Sequence, residues 1–81
     1  MMLDFIKYIV GTFAENPDKA EYKVEENGNL VNVTIVLDEE DMGKVIGRQG
    51  KIAKAMRTLV KAASAKSGKK YNIEIKERSE V

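Results

Sequence analysis

Two glycines, Gly47 and Gly50, interrupt a long stretch of helical periodicity and divide it into two helices that are only four residues apart. Before them, the sequence predicts a short helix over residues 38–46, with Asp38 as its N-cap and more acids where the helix dipole favours negative charge. After them, it predicts a longer helix over residues 51–67. Because glycine adopts positive φ at little cost, we expect the chain to turn sharply between the two helices.

The segments around this helical pair predict one more helix and three strands. Apolar residues recur at helical spacing over residues 2–14, and Pro17 ends that helix because proline has no backbone donor. Alternation of apolar and polar residues predicts three strands, over residues 22–25, 30–37 and 71–76. A hairpin turn at residues 27–29 joins the first two strands, since asparagine and glycine tolerate positive φ.

The predicted order is therefore helix, strand, strand, helix, helix, strand. In 81 residues it predicts one α+β domain over residues 1–81, a two-layer sandwich with the helices on one face of a three-stranded sheet. If the second and third strands are neighbours, the helical pair between them is a right-handed crossover. Those two strands then run parallel in a mixed sheet.

The apolar arcs of the two long helices predict which side chains face the core. In the first helix these are Met2, Leu3, Ile6, Ile9, Val10 and Phe13; in the second they are Ile52, Ala55, Met56, Leu59, Ala62 and Ala63. Lys54, Arg57 and Lys61 lie opposite the second arc. Four residues at the edges of the arcs either form an exposed apolar patch or are covered by neighbouring segments: Phe5, Tyr8, Ala53 and Val60.

The composition argues against catalysis and metal binding. The sequence contains no cysteine and no histidine, so it lacks thiolate ligands, disulfides and the usual proton shuttle. Because the other polar residues show no catalytic arrangement, we expect neither an enzyme nor a bound metal or cofactor. The apolar N-terminal run carries Asp4 and Lys7, and no stretch reaches the about 20 apolar residues of a membrane span. We therefore expect a cytoplasmic protein without a membrane partner.

A net charge of +1 hides a strong asymmetry along the chain. Residues 1–42 carry a net charge of −7, and residues 43–81 carry +8. Nine basic residues and no acid occur over residues 44–70. Such a distribution indicates a polyanionic partner, and a basic solvated helix face is the alternative interpretation.

The loop Gly47-Arg48-Gln49-Gly50 lies where the basic segment begins. Its glycine spacing fits neither an ATP-binding loop nor a dinucleotide fingerprint. Two positions without Cβ atoms let a sugar–phosphate backbone approach, and the next helix points its N-terminus at the same place. The loop thus predicts a clamp for a nucleic-acid backbone, against the alternative of a plain corner between two helices.

Side chains flanking the loop extend this predicted site. Lys44, Lys51 and Lys54 add positive charge to that of Arg48. Ile46 and Ile52 anchor the loop to the core and can line an apolar groove for bases.

Residues 42–57, MGKVIGRQGKIAKAMR, resemble the small single-KH-domain RNA-binding proteins of bacteria, whose GXXG loop clamps about four nucleotides of a single strand. The resemblance extends from the first helix to Ile75, in the order of the type II KH fold. It implies that single-stranded RNA lies in a groove floored by the strand at residues 30–37 and walled by the two helices. It also implies a role in RNA regulation or as an RNA chaperone, homodimerisation, and a larger KH-containing partner.

Two questions stay open at the level of sequence. The apolar candidates for base contact are also ordinary core residues: Val33, Ile35, Ile46, Ile52 and Met56. The alternative function is a protein-interaction or dimerisation module that has a KH fold.

Overall fold

The computed structural model describes residues 2–81 and contains the six predicted elements in the predicted order. They are α1 (Met2–Phe13), β1 (Glu21–Asn27), β2 (Leu30–Leu37), α2 (Glu39–Ile46), α3 (Lys51–Ser64) and β3 (Lys70–Glu77). Short 3₁₀ turns lie at Pro17–Lys19 and Arg78–Glu80, and a tight turn with left-handed residues lies at Arg48–Gly50. Within residues 2–81, no helix has the length and apolarity to cross a membrane.

The three strands form one mixed sheet in the order β1-β2-β3, which confirms the α+β prediction. β1 pairs with β2 in the antiparallel sense, and Val24 lies opposite Val33. β2 pairs with β3 in the parallel sense, and Val33 lies opposite Ile73. The structure makes β2 and β3 neighbours, and the pair α2–α3 is the crossover between them, as expected from the sequence for that case.

One face of the sheet packs against the helices. Its core residues in β2 are Val31, Val33, Ile35 and Leu37, all nearly inaccessible to solvent. They form one apolar cluster with side chains from all three helices: Ile6, Val10, Val45, Met56 and Val60. β2 lies between two strands and under this cluster, which explains why every second residue from Val31 to Leu37 is buried and none of its residues is fully exposed.

The predicted apolar arc of α3 is wrong in phase. The buried stripe consists of Ala53, Met56, Val60 and Ser64, and Leu59 is half exposed. Alanines are abundant in this helix. Because their small side chains are tolerated on either face, they are a weak indicator of the buried face, and the predicted arc was therefore rotated away from it. Val60 and Ala53, placed at the edge of the predicted arc, are core residues and cannot contribute to an exposed patch.

α3 also ends three residues before the predicted end. The Ser64 hydroxyl donates to the Lys61 carbonyl, and the Ser67 hydroxyl donates to the Ser64 carbonyl at 2.8 Å. Serine side chains compete in this way with the backbone ladder, which favours the end of a helix. Gly68 follows with φ of 77°.

Asp38 holds the N-cap position of α2, but its side chain does not cap that helix. The carboxylate instead accepts a hydrogen bond from Nε of Arg78 at 2.7 Å. This hydrogen bond and the positive charge of Arg78 lower the pKa of Asp38. Arg78 also pairs with Glu21 at 2.9 Å and donates to the Lys19 carbonyl, so one guanidinium joins the ends of β1, β2 and β3.

Asp41 is an acidic residue that is almost completely buried. The sequence predicted only that its charge interacts favourably with the dipole at the N-terminus of α2. Its two carboxylate oxygens accept the backbone N–H groups of Glu15 and Asn16, both at 3.0 Å. These N–H groups follow the end of α1, so Asp41 fixes the exit of α1 against the start of α2.

We expect Asp41→Ala to lower the free energy of unfolding by about 2 kcal/mol, because it leaves two partly buried N–H groups without an acceptor. Glu39→Ala, an exposed acid in the same helical turn, is the control and should change it by about 0.5 kcal/mol or less. Urea denaturation of both variants measures the difference. Equal losses would contradict this role for Asp41.

Candidate nucleic-acid interface

The turn between α2 and α3 has an unusual backbone. Gly47 has φ of 82° and ψ of 168°, and Gln49 and Gly50 both adopt the left-handed conformation. The Lys51 N–H donates to the Arg48 carbonyl and closes a turn of the mirror-image type I′. The Gly50 N–H donates to the Gly47 carbonyl at 3.1 Å. Four residues thus reverse the chain between two helices.

The two glycines are required for different reasons. A Cβ atom on Gly47 would lie 2.7 Å from Cγ1 and 2.9 Å from the backbone nitrogen of Ile52. A Cβ atom on Gly50 would meet nothing within 4 Å, so that position is limited by its φ of 74° alone. Gly47 therefore allows Ile52 to approach the backbone closely, and Gly50 leaves an open surface beside the first turn of α3.

The predicted site residues fall into three groups in the structure. Arg48, Gln49, Lys51 and Lys54 are exposed, and Ile46 and Ile52 are half-buried at the ends of the two helices. Lys44 is also exposed, but its ammonium group lies 2.5 Å from the carboxylate of Glu15. Its charge is therefore partly neutralised, unlike that of the loop residues.

A concave surface continues from the loop along α3, and we call it the basic groove. Its loop end is formed by Gln49, Gly50, Lys54, Arg57, Thr58 and Lys61. Its edge end begins at Arg57 and Lys61 and reaches the edge strand β3, with Gly68, Lys69, Tyr71 and Ile73. Arg57 and Lys61 line both hollows, so the two hollows are adjacent along α3.

The site prediction did not include Arg57 and Lys61. The helical periodicity places both on the exposed side of α3 with Lys54, because the spacing 54, 57, 61 puts all three on one helical face. That spacing is the signal that could have extended the predicted site along α3.

The floor of the groove differs from the one that the resemblance implied. β2 is the central strand, and the apolar candidates Val33 and Ile35 are core residues, as is Met56. β2 reaches the groove only near Asn32, Val33 and Thr34, and β3 supplies the exposed strand edge. Parallel pairing places β3 outside β2, and this order could not be derived from strand periodicity.

Comparison with known proteins agrees with this geometry. The model of the KH domain of KhpA and KhpB matches residues 3–75, which include β1, β2, α2 and α3 in full, α1 without Met2, and β3 as far as Ile75. The chain belongs to the KhpA/KhpB family of KH domains. Residues 47–50 are thus a GXXG sequence inside a KH domain, between its two central helices.

Curated relatives cover nearly the same length. The chain is 42% identical over 74 residues to the RNA-binding protein KhpA of Caldanaerobacter subterraneus subsp. tengcongensis, which spans 91% of this chain and 99% of the relative. It is 41% identical over 74 residues to RNA-binding protein KhpA of Listeria monocytogenes, spanning 91% and 97% of the two chains. With RNA-binding protein KhpA of Bacillus subtilis it shares 40% identity over 72 residues, 89% of each chain. No solved structure matches the chain significantly.

Alanine substitutions at three glycines test the conformation of the KH loop. We expect Gly47→Ala to destabilise the fold by about 3 kcal/mol, because backbone strain adds to the contact with Ile52. Gly50→Ala should cost about 1 kcal/mol, from its left-handed conformation alone. Gly43→Ala, in an open position within α2, should stabilise by about 0.5 kcal/mol. Thermal melts give the order, and a larger loss at Gly50 than at Gly47 would contradict it.

Proposed function

We propose that this protein binds single-stranded RNA and that the Gly47–Gly50 loop holds the RNA backbone. The observation that carries the proposal is the loop itself, which presents Arg48 and Gln49 to solvent beside a glycine backbone at the start of α3. Its KH family and the printed names of its relatives support RNA as the ligand.

Charge supports a polyanionic ligand on this side of the molecule. Nine basic residues and no acid occur over residues 44–70, and these include the exposed cations of the basic groove. A positive groove attracts the phosphate backbone and releases its counterions, so the affinity should fall as salt rises. In this proposal Lys51 and Lys54 supply charge next to Arg48, and Lys44 contributes less because Glu15 pairs with it.

Shape favours a single strand over a duplex. Ile46 and Ile52 are partly exposed beside the loop, and the edge end of the groove is lined by further apolar side chains. Such a surface suits unpaired bases, whereas paired bases keep their faces inside the helix. RNA regulation or RNA chaperone activity in the cytoplasm is the cellular role that we attach to this binding.

We expect the double variant Arg48→Asp with Gln49→Asp to lose RNA binding and keep its fold. Repulsion of phosphate replaces attraction, and aspartate tolerates the left-handed φ of position 49. The measurement is a fluorescence-anisotropy titration of an unstructured RNA and of a hairpin stem, with a thermal melt of each variant. The parent should prefer the unstructured RNA.

The matched control is Lys23→Asp with Asn27→Asp on β1, which changes the net charge by the same amount. Both residues are exposed and lie on the opposite edge strand from the basic groove. This control should retain most of the affinity. If the loop variant melts like the parent and still binds like it, the clamp assignment is wrong.

Self-association is the second part of the proposal, because one site for about four nucleotides is weak and pairing two sites raises the effective concentration. Of the predicted patch, Ala53 and Val60 are buried, Phe5 is half-buried against the core, and Tyr8 is 74% exposed. Leu59, which the sequence assigned to the core, is 50% exposed and adds apolar surface. These side chains would serve a homodimer or the larger KH-containing partner that the resemblance implies.

Light scattering tests self-association. We expect a mass above that of the 9.1 kDa chain at high protein concentration, and a lower mass after Tyr8→Ser with Leu59→Ser. Thr12→Ser, an exposed position on α1, is the control. A mass of one chain at every concentration would contradict the homodimer.

A further inference from the structure

Arg57 lies where the two ends of the basic groove meet. Its Nε–H donates to the Ile73 carbonyl of the edge strand β3 at 3.1 Å. Within residues 2–81, its two terminal amino groups have neither a hydrogen-bond acceptor nor an acidic partner. One N–H therefore fixes the guanidinium plane, and the remaining donors are available to a ligand.

This hydrogen bond changes which groups the edge strand offers to a base. The carbonyl of Ile73 is an acceptor that would attract an amino group of adenine or cytosine. Because Arg57 already donates to it, the groove presents guanidinium donors there instead. Donors favour a base edge that carries acceptors, and O6 and N7 of guanine form such an adjacent pair.

We propose that Arg57 is a specificity-determining residue that favours guanine in the basic groove, through bidentate hydrogen bonds to O6 and N7. This inference rests on the proposed RNA binding and adds the base that the groove prefers. A single strand leaves the O6–N7 edge of guanine accessible, and a guanidinium held at one N–H loses little freedom when it forms the pair.

The surroundings of Arg57 favour a base over a phosphate. Ala65, which is exposed, and Tyr71, which is half-buried, line the same end of the groove beside the buried Val33 and Ile73, and they supply apolar surface against which a base can pack. The acid at this end, Glu74, lies 3.4 Å from Lys76 and is thus paired. The loop that would hold phosphates lies at the other end of the groove.

The test uses uridine decamers that carry one central guanine, adenine or cytosine, so that the RNA can slide until that base reaches Arg57. The parent protein should bind the guanine decamer at least about fivefold more tightly than the adenine or cytosine decamers. Replacing guanine by 7-deazaguanine removes N7 and should abolish most of this advantage. Arg57→Lys keeps the charge but removes the planar fork, so its affinities for the three decamers should become nearly equal.

Lys61→Ala is the control within the same groove. It should weaken binding of all the decamers alike and leave the ratio between guanine and adenine unchanged, because lysine is a point charge without a bidentate edge. Thermal melts confirm that each variant is folded.

Other results separate this inference from the proposed function. Binding without a guanine preference, or a preference that survives Arg57→Lys, overturns the inference and leaves RNA binding intact. An equal loss for all decamers in Arg57→Lys, with the guanine preference unchanged, means that the guanidinium contacts a phosphate and also overturns the inference. If the parent binds none of the decamers, the proposed function fails and the inference fails with it.

Discussion

The close approach of Gly47 to Ile52 is the contact on which the arrangement of the helices depends. A backbone without a side chain at position 47 lets α3 begin immediately beside the end of α2. The start of α3 is then fixed, and so is its rotation about its own axis. That rotation directs Met56 and Val60 into the core and leaves Arg57 on the groove side. The same turn therefore determines which residues of α3 belong to the core and which belong to the candidate interface.

The two halves of the chain use their charges differently. Acids of the first half hold the fold together, since Asp41 binds the backbone after α1 and Asp38 binds Arg78. Of the nine basic residues over positions 44–70, only Lys44 and Lys69 pair with an acid among residues 2–81. The charge asymmetry along the sequence thus corresponds to two different roles, one structural for the acids and one in ligand binding for the cations. The acids Asp38 and Asp41 connect separate secondary-structure elements, and most of the cations remain available to bind a polyanion.

Secondary structure was predictable where a local rule decides it. The bounds of β2 were predicted correctly because alternation and the preceding Asn-Gly turn agree. The hairpin and the break at positions 47–50 followed from glycine for the same reason. Prediction failed for the buried face of α3, where alanines give a weak signal. It also failed for the side chain of Asp38, because Arg78 is forty residues away along the chain and competes for it.

The sequence by itself determined the order of elements, the sharp turn between two helices, the basic segment and the family-level resemblance. Each of these depends on residues that are neighbours along the chain. The tertiary structure alone decided that β3 forms the edge of the groove, that Ala53 and Val60 are core, and that Arg57 donates to Ile73. These features arise from packing between distant segments, and packing depends on shape and rotation that local periodicity does not contain.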